Sequence, residues 1–305
     1  MPASHVVLAI RITNVIEGVH HNRPSQAFQN LDIIYKESRL TLDTTFSDNI
    51  SSLLKKAGET IIMPAFLQQA CKKDIKEDGS VVTETDLTCQ HFLQTELQTL
   101  YPDVAFLGEE MSSDEQLACL NNGGRFWCVD PLDGTSNFTI PFPHFASSLA
   151  LIEDGRPVFA CIHDPILDET FTAIKDGGAF LNNAPIKAST QSELTQGVGF
   201  IDFKRLDQST AALFATKKIF RSQRNIGTCA LEWSWLAAGR AHFIIHGGEK
   251  IWDYSAGSLL AQEAGAVVSD FENRDPFHTS QLSSSILATA NSELHRQLLQ
   301  QLTAS

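Results

Sequence analysis

The chain has no stretch approaching the roughly 20 consecutive apolar residues of a membrane span, so no membrane partner is expected. Basic residues are scarce: 23 Lys and Arg against 36 Asp and Glu give a formal charge of −13 over 305 residues. That balance excludes the broad basic surface on which non-specific nucleic-acid binding depends. Cysteine is thinly spread, at Cys71, Cys89, Cys119, Cys128, Cys161 and Cys229, and never in a Cys-x-x-Cys spacing. The pattern reads as buried free thiols in a reducing compartment, not a disulfide framework or a zinc site. The early apolar run, residues 6–10, is short and follows no basic residue, so no secretory signal is expected and the expected location is the cytoplasm. There are no internal repeats and no low-complexity tract.

What is present centres on Trp127-Cys128-Val129-Asp130-Pro131-Leu132-Asp133-Gly134-Thr135-Ser136-Asn137-Phe138. An apolar run reads as a buried strand, and it ends in two aspartates three positions apart. Pro131 fixes its own φ and pushes Asp130 into an extended conformation. Gly134 permits a tight turn with close approach of a ligand to the backbone. Carboxylates converging at a strand end are what a hard cation such as Mg²⁺ requires, and free N–H groups around Gly134 and Thr135 could hold an anion beside it. An ordinary Asp-Pro, Asp-Gly turn would account for the short pattern equally well.

Residues 1–47 lack a sustained period and read as an extension, followed by a unit at 48–187 and another at 188–305. A helix is predicted from Asp48, its N-cap, with Pro64 as a kink. Val81-Val82 precedes a second helix opened by Thr83-Glu84-Thr85-Asp86. Residues 111–124 are polar and read as a surface excursion. Glu153-Asp154-Gly155 and Asp176-Gly177-Gly178 each sit between apolar runs as hairpin signals, which predicts an antiparallel sheet. After residue 188 strands and helices alternate, with Gly227-Thr228 opening one helix and Asp253 capping another, so an α/β layered unit is expected.

Asp86, Glu109, Asp130 with Asp133, and Asp253 all fall at predicted element boundaries. Each has a local explanation as a cap or a solvated acid. Jointly they lie where ligand sites of layered α/β proteins gather. With Gly108-Glu109-Glu110, the Asp130 to Phe138 signature and Trp252-Asp253-Tyr254-Ser255-Ala256-Gly257 in that order, the chain resembles the inositol monophosphatase family over about residues 48–302.

The resemblance implies an α/β fold, an α+β N-terminal part and an α/β C-terminal part stacked as a five-layer αβαβα sandwich, and a homodimer. It implies Mg²⁺, two or three ions: one on Glu109, Asp130 and the Leu132 carbonyl, a second on Asp130, Asp133 and Asp253, and Lys76 near the shell of a third. Thr135 with Asp86 would activate water, and Gly134 and Thr135 would hold the phosphate. Gly227, Thr228 and Cys229 would line the substrate pocket. His246 stands where the family's inositol phosphatases carry a substrate-binding glutamate, so it is a candidate substrate contact. The expected activity is hydrolysis of a small polyol or sugar phosphate. A 3′-phosphoadenosine 5′-phosphate or histidinol-phosphate phosphatase, or a regulatory scaffold on the same fold, are the alternatives. His242 and His246, four apart on a strand and its exit, do not read as a metal pair, and Trp233 and Trp235 read as core or interface residues.

Overall fold

The computed structural model describes residues 40–68, 73–75, 81–278 and 281–303. Helix α1, Thr44–Ala57, is capped by Asp43, whose side chain accepts the Phe46 N–H, so its cap lies five residues before the Asp48 cap predicted from sequence. The reason is that Phe46 already belongs to the apolar stripe Phe46, Ile50, Leu53, Leu54, Ala57. Its ring packs against Tyr101, Trp127 and Phe159. A π-helical turn at Gly58–Ile62 leads into α2, Met63–Gln68. Pro64 has no N–H to continue the ladder, and the helix widens just before it.

Strands β1, Lys73–Ile75, and β2, Val81–Thr83, pair antiparallel. Helix α3, Glu84–Leu100, follows directly. Next come β3, Ala105–Gly108, α4, Ser113–Asn122, and β4, Arg125–Asp133. Helix α4 lies inside the stretch read as a surface excursion. Its start was marked by Ser112 and Glu115, which form a capping box. A short helix α5, Thr135–Thr139, leads to β5, Ala146–Glu153, β6, Arg156–Asp164, β7, Glu169–Ile174, β8, Gly178–Leu181, and β9, Ala184–Ile186. Strands β3 to β9 form a seven-stranded sheet in sequence order, parallel between β3 and β4 and antiparallel elsewhere, with both predicted hairpins in place.

The second sheet takes β10, Val198–Asp202, α6, Gln208–Thr216, β11, Ser222–Arg224, α7, Cys229–Ala237, β12, Phe243–Lys250, α8, Ile251–Glu263, β13, Val267–Ser269, β14, Ser283–Thr289, and α9, Ser292–Thr303. Its five strands run in the order β11-β10-β12-β14-β13. Helices α1 and α3 pack on one face of the seven-stranded sheet, α7 and α8 lie between the sheets, and α9 covers the five-stranded sheet. This is the expected αβαβα sandwich. Between two sheets, α8 has no face for water, and Ile251 and Trp252 and then Tyr254 through Ala261 are buried. A Cβ at Gly257 would lie 2.2 Å from Trp233 Cγ, so α7 and α8 meet there at glycine distance. Among the described residues no helix is long and apolar enough to cross a membrane, and the described cysteines are all free.

Candidate active site

Residues three apart on a regular strand point to opposite faces. Asp130 faces Ser148 and Asp133 faces Ala146, so three steps along β4 are matched by two along β5. That bulge re-phases the strand and turns both carboxylates to one side. Pro131 gives the ladder no N–H, and its carbonyl is taken by the Ser147 hydroxyl at 2.8 Å and the Cys89 thiol at 3.4 Å. Asp253 comes from α8. It is the third residue of the helix, not its cap: Lys250 occupies the cap and donates its N–H to Asp253 at 3.1 Å. Carboxylate oxygens of Asp130, Asp133 and Asp253 lie within 4.8 Å of one another.

Glu109 joins them on the wall of one cavity of about 710 Å³. Its backbone N–H bonds to Val129 O at 3.1 Å, and the Gln116 amide donates to the Gly108 and Glu109 carbonyls, both at 3.0 Å. Burial, then the charges of Glu109, Asp133 and Asp253, push the Asp130 carboxyl well above the usual range. Burial first and then Asp133 and Glu109 do the same to Asp253. Burial raises Asp133 to about 6 although Thr228 and Ala230 pull it down. Among the described residues no Lys or Arg forms an ion pair with these three aspartates. Like charges gathered in one partly buried cluster fit a multivalent cation, and an all-oxygen donor set fits a hard one.

Asp86 serves two purposes at once. Its Oδ2 accepts the Thr83 N–H at 2.9 Å and the Thr83 hydroxyl, which is the capping box of α3. Its Oδ1 accepts the Thr135 hydroxyl at 2.9 Å. Asp86 therefore caps α3 and contacts Thr135 at the same time. The same Thr135 hydroxyl lies 3.1 Å from Leu132 O. Gly134 sits at φ +95°, and a Cβ there would be 2.9 Å from His144 O, so the turn that presents Thr135 requires glycine.

Gly227, Thr228 and Cys229 line the same cavity. The Thr228 hydroxyl, however, is donated to Asp133 Oδ2, which also accepts the Ala230 N–H at 2.6 Å. Thr228 thus holds an aspartate in place while lining the cavity. His246 has a contact on each ring nitrogen: Nε2 is 3.3 Å from Asp202 Oδ2, and Nδ1 accepts the Gly248 N–H at 3.2 Å. Strands β10 and β12 present Asp202, His246 and Lys250 to the cavity. Lys76 lies outside the described residues. His242 is apart from His246, its Nδ1 accepting the Val198 N–H at 2.9 Å.

Two residues without a role in the sequence reading hold the site together. Asn137 donates to His144 O at 2.8 Å and Ile226 O at 2.7 Å, tying the signature loop to the 225–228 loop. Buried Glu232 accepts the Ile226 N–H at 3.1 Å from the other side. The helical spacing of Glu232 on α7 hid it among core residues.

A five-layer sandwich that collects acids from β3, β4 and α8 around a hydroxyl–carboxylate pair defines a phosphatase architecture. The chain belongs to the inositol monophosphatase family, whose model matches residues 44–305. Inositol monophosphatase 3 of Solanum lycopersicum is 37% identical over 239 residues, 74% of this chain and 85% of the relative. Nus factor SuhB of Vibrio cholerae is 34% identical over 228 residues, 71% and 82% of the two chains. The solved IMPase structure from Thermotoga maritima superposes with a TM-score of 0.74 at 27% identity, covering 86% of this chain and 98% of its own. The protein is a phosphatase of this family.

Proposed function

We propose that the protein is a cytoplasmic, homodimeric, Mg²⁺-dependent phosphomonoesterase that hydrolyses a small polyol or sugar phosphate of the inositol 1-phosphate kind with water as the nucleophile. The observation that carries the reading is the set of buried Asp130 and Asp133 with half-buried Asp253, all within 4.8 Å and opening on a cavity that Thr135 also lines. Those aspartates, with Glu109 and the Leu132 carbonyl, would hold the ions. Bound there, Mg²⁺ supplies neutralising charge for a phosphate dianion and a lowered pKa for water.

The chain's own groups position and deprotonate. Thr135 hydrogen-bonds to Asp86, which leaves lone pairs on the Thr135 oxygen to orient a water; as the water proton reaches that oxygen, the Thr135 proton passes to the Asp86 carboxylate. Burial raises the Asp86 carboxyl, which makes it a stronger base than an exposed one. N–H groups in the first turn of α5, just past Gly134, have no partner within the helix and suit phosphate oxygens. The rest of the wall includes Asp202, Asn225, Lys204 and Arg205, groups suited to hydroxyls. Among the described residues the lining contains no Phe, Tyr or Trp on which a nucleobase would stack, which favours a polyol over 3′-phosphoadenosine 5′-phosphate.

Phosphate release from a panel of monoesters, with and without Mg²⁺, tests the reading. Turnover that is independent of Mg²⁺, or confined to nucleotides, would overturn it. The Nus factor SuhB relatives favour a second reading, a regulatory protein on the same fold. A cellular phenotype that survives Asp130→Asn would support it.

A further inference from the structure

We propose that Cys229, His246 and Glu249 form a second metal site, selective for a borderline-soft divalent cation such as Zn²⁺, beside the carboxylate set. One ligand atom from each of the three lies within 4.8 Å of the others. The site is built by the same device as the first. His246 faces Ile286 and Glu249 faces Ser284, so three steps along β12 are matched by two along β14. The bulge falls at Gly247-Gly248 and brings His246 and Glu249, three apart, to one side. Helix α7 brings Cys229 to them from its first turn.

One further feature points to a ligand. Glu249 is fully buried, its Oε2 accepts the Trp233 indole N–H at 2.8 Å, and its Oε1 has no hydrogen-bond partner. A buried carboxylate oxygen without a partner is costly unless something fills the place. The His246 tautomer is also fixed. A backbone N–H only donates, so the Gly248 N–H on Nδ1 makes that nitrogen the acceptor and leaves the proton on Nε2, toward Asp202. A carboxylate on the far nitrogen of an imidazole is the usual support of a zinc-bound histidine. A metal on Nδ1 would replace the 3.2 Å Gly248 contact.

Thiolate, imidazole and one carboxylate with an open fourth position make a zinc donor set, whereas Mg²⁺ takes oxygen ligands. Ligand atoms around tetrahedral zinc are roughly 3.3–3.8 Å apart, given metal–ligand distances of about 2.0–2.3 Å. Closing from 4.8 Å asks for a shift of about 1–1.5 Å, within reach of the Cys229 and Glu249 side chains. Scattered spacing hid this site: Cys229 stands alone in the sequence, and His246 and Glu249 are three apart on a strand.

The test loads purified full-length protein with Zn²⁺, or with Co²⁺ as a spectroscopic probe, in a large excess of Mg²⁺. The expected result is one Zn²⁺ per chain by equilibrium dialysis and a cobalt–thiolate charge-transfer band. Cys229→Ser should abolish the band. Glu249→Gln and Asp202→Asn should each weaken zinc at least about 10-fold. Zinc should also protect Cys229, but not Cys119, from alkylation in the unmutated protein, a readout independent of any variant. Asp130→Asn should keep the zinc and the band, so failure of the phosphatase reading and failure of this one are told apart. Zinc that Mg²⁺ displaces in full, a band that survives Cys229→Ser, or no protection of Cys229 would overturn the proposal.

Discussion

Replacing Thr228 by Val removes one hydroxyl and keeps the side-chain shape. In the folded protein that hydroxyl is donated to Asp133 Oδ2, and the Ala230 N–H at 2.6 Å is the other donor to the same oxygen. Asp133 is buried, and burial has already raised its carboxyl to about 6. Losing a donor to a buried charged group costs about 1.5–3 kcal/mol. If that cost falls on the ionised carboxylate which Mg²⁺ needs, it corresponds to roughly a 10- to 100-fold loss of Mg²⁺ affinity, the usual size of an effect on a group that orients a metal ligand. The assay is phosphate release against Mg²⁺ concentration, at saturating and at limiting substrate. The half-saturating Mg²⁺ should rise in Thr228→Val, kcat at saturating Mg²⁺ should change little, and Thr228→Ser should restore the original value. The hydroxyl also caps α7, accepting the Leu231 N–H at 3.5 Å, so a modest fall in Tm is expected in the Val variant alone. An unchanged Mg²⁺ requirement with a raised KM for substrate would refute the reasoning. Thr228 would then be the substrate contact that its position in the sequence suggested.

Asp130→Asn should lower phosphatase activity by at least about 100-fold, the typical cost of one electrostatic contact at a reacting centre. In EDTA the same change should raise Tm, because it removes a charge that burial and three neighbouring carboxylates disfavour; a lowered Tm would count against that account. Thr135→Ala and Asp86→Asn should each slow turnover, and the double variant should be little worse than the worse single one; multiplicative losses would separate the two groups. Phe46→Ala should cost about 3–5 kcal/mol in urea unfolding, since the ring is buried against Tyr101, Trp127 and Phe159. Burial lowers His163 to about 4, so the folded ring stays neutral while the unfolded one, near 6.5, takes up a proton. Its contribution is present above pH 6.5 and is lost as the pH falls toward 4, by about 1.4 kcal/mol per pH unit. The stability difference between wild type and His163→Gln, measured at pH 7 and pH 5, should therefore shrink by about 2 kcal/mol; a constant difference would show that the ring titrates normally.

Much of the site was legible because its chemistry is written in short segments. Asp130 to Asn137, Gly108 to Glu110 and Trp252 to Gly257 each carry their acids next to a breaker or an element boundary, where sequence signals are strongest. Hairpins at Asp154-Gly155 and Gly177-Gly178 were legible for the same reason: the positive φ values of Asp154, Gly155 and Gly178 need residues that tolerate them. Boundaries set by packing were harder to read. Asp48 looked like a cap because it precedes an apolar series, but the series begins with Phe46, whose partners Tyr101, Trp127 and Phe159 are far along the chain. Asp253 looked like a cap as well, yet it sits one turn inside α8, because Ile251 and Trp252 are helical residues buried between the sheets.

One physical cause of what was not legible is pairing across strands. A spacing of three on a regular strand gives opposite faces; Asp130 with Asp133 were expected to converge despite it, whereas His246 with Glu249 were not. Each pair converges only because the partner strand is one residue short opposite it, a fact that belongs to β5 and β14 and not to the segment being read. In the first case Pro131 and Gly134 hinted at the irregularity. In the second the hint was Gly247-Gly248, which without its partner strand looks like a loop. The contacts of Thr228 and His246 follow from the same geometry. The helix that starts at Cys229 is delivered to the bulge of β4, so its cap meets Asp133. The parallel pairing of β10 with β12 puts Asp202 opposite His246. A residue type and a position can nominate a substrate contact, but the hydrogen bonds a side chain already makes decide whether any of it is left for substrate.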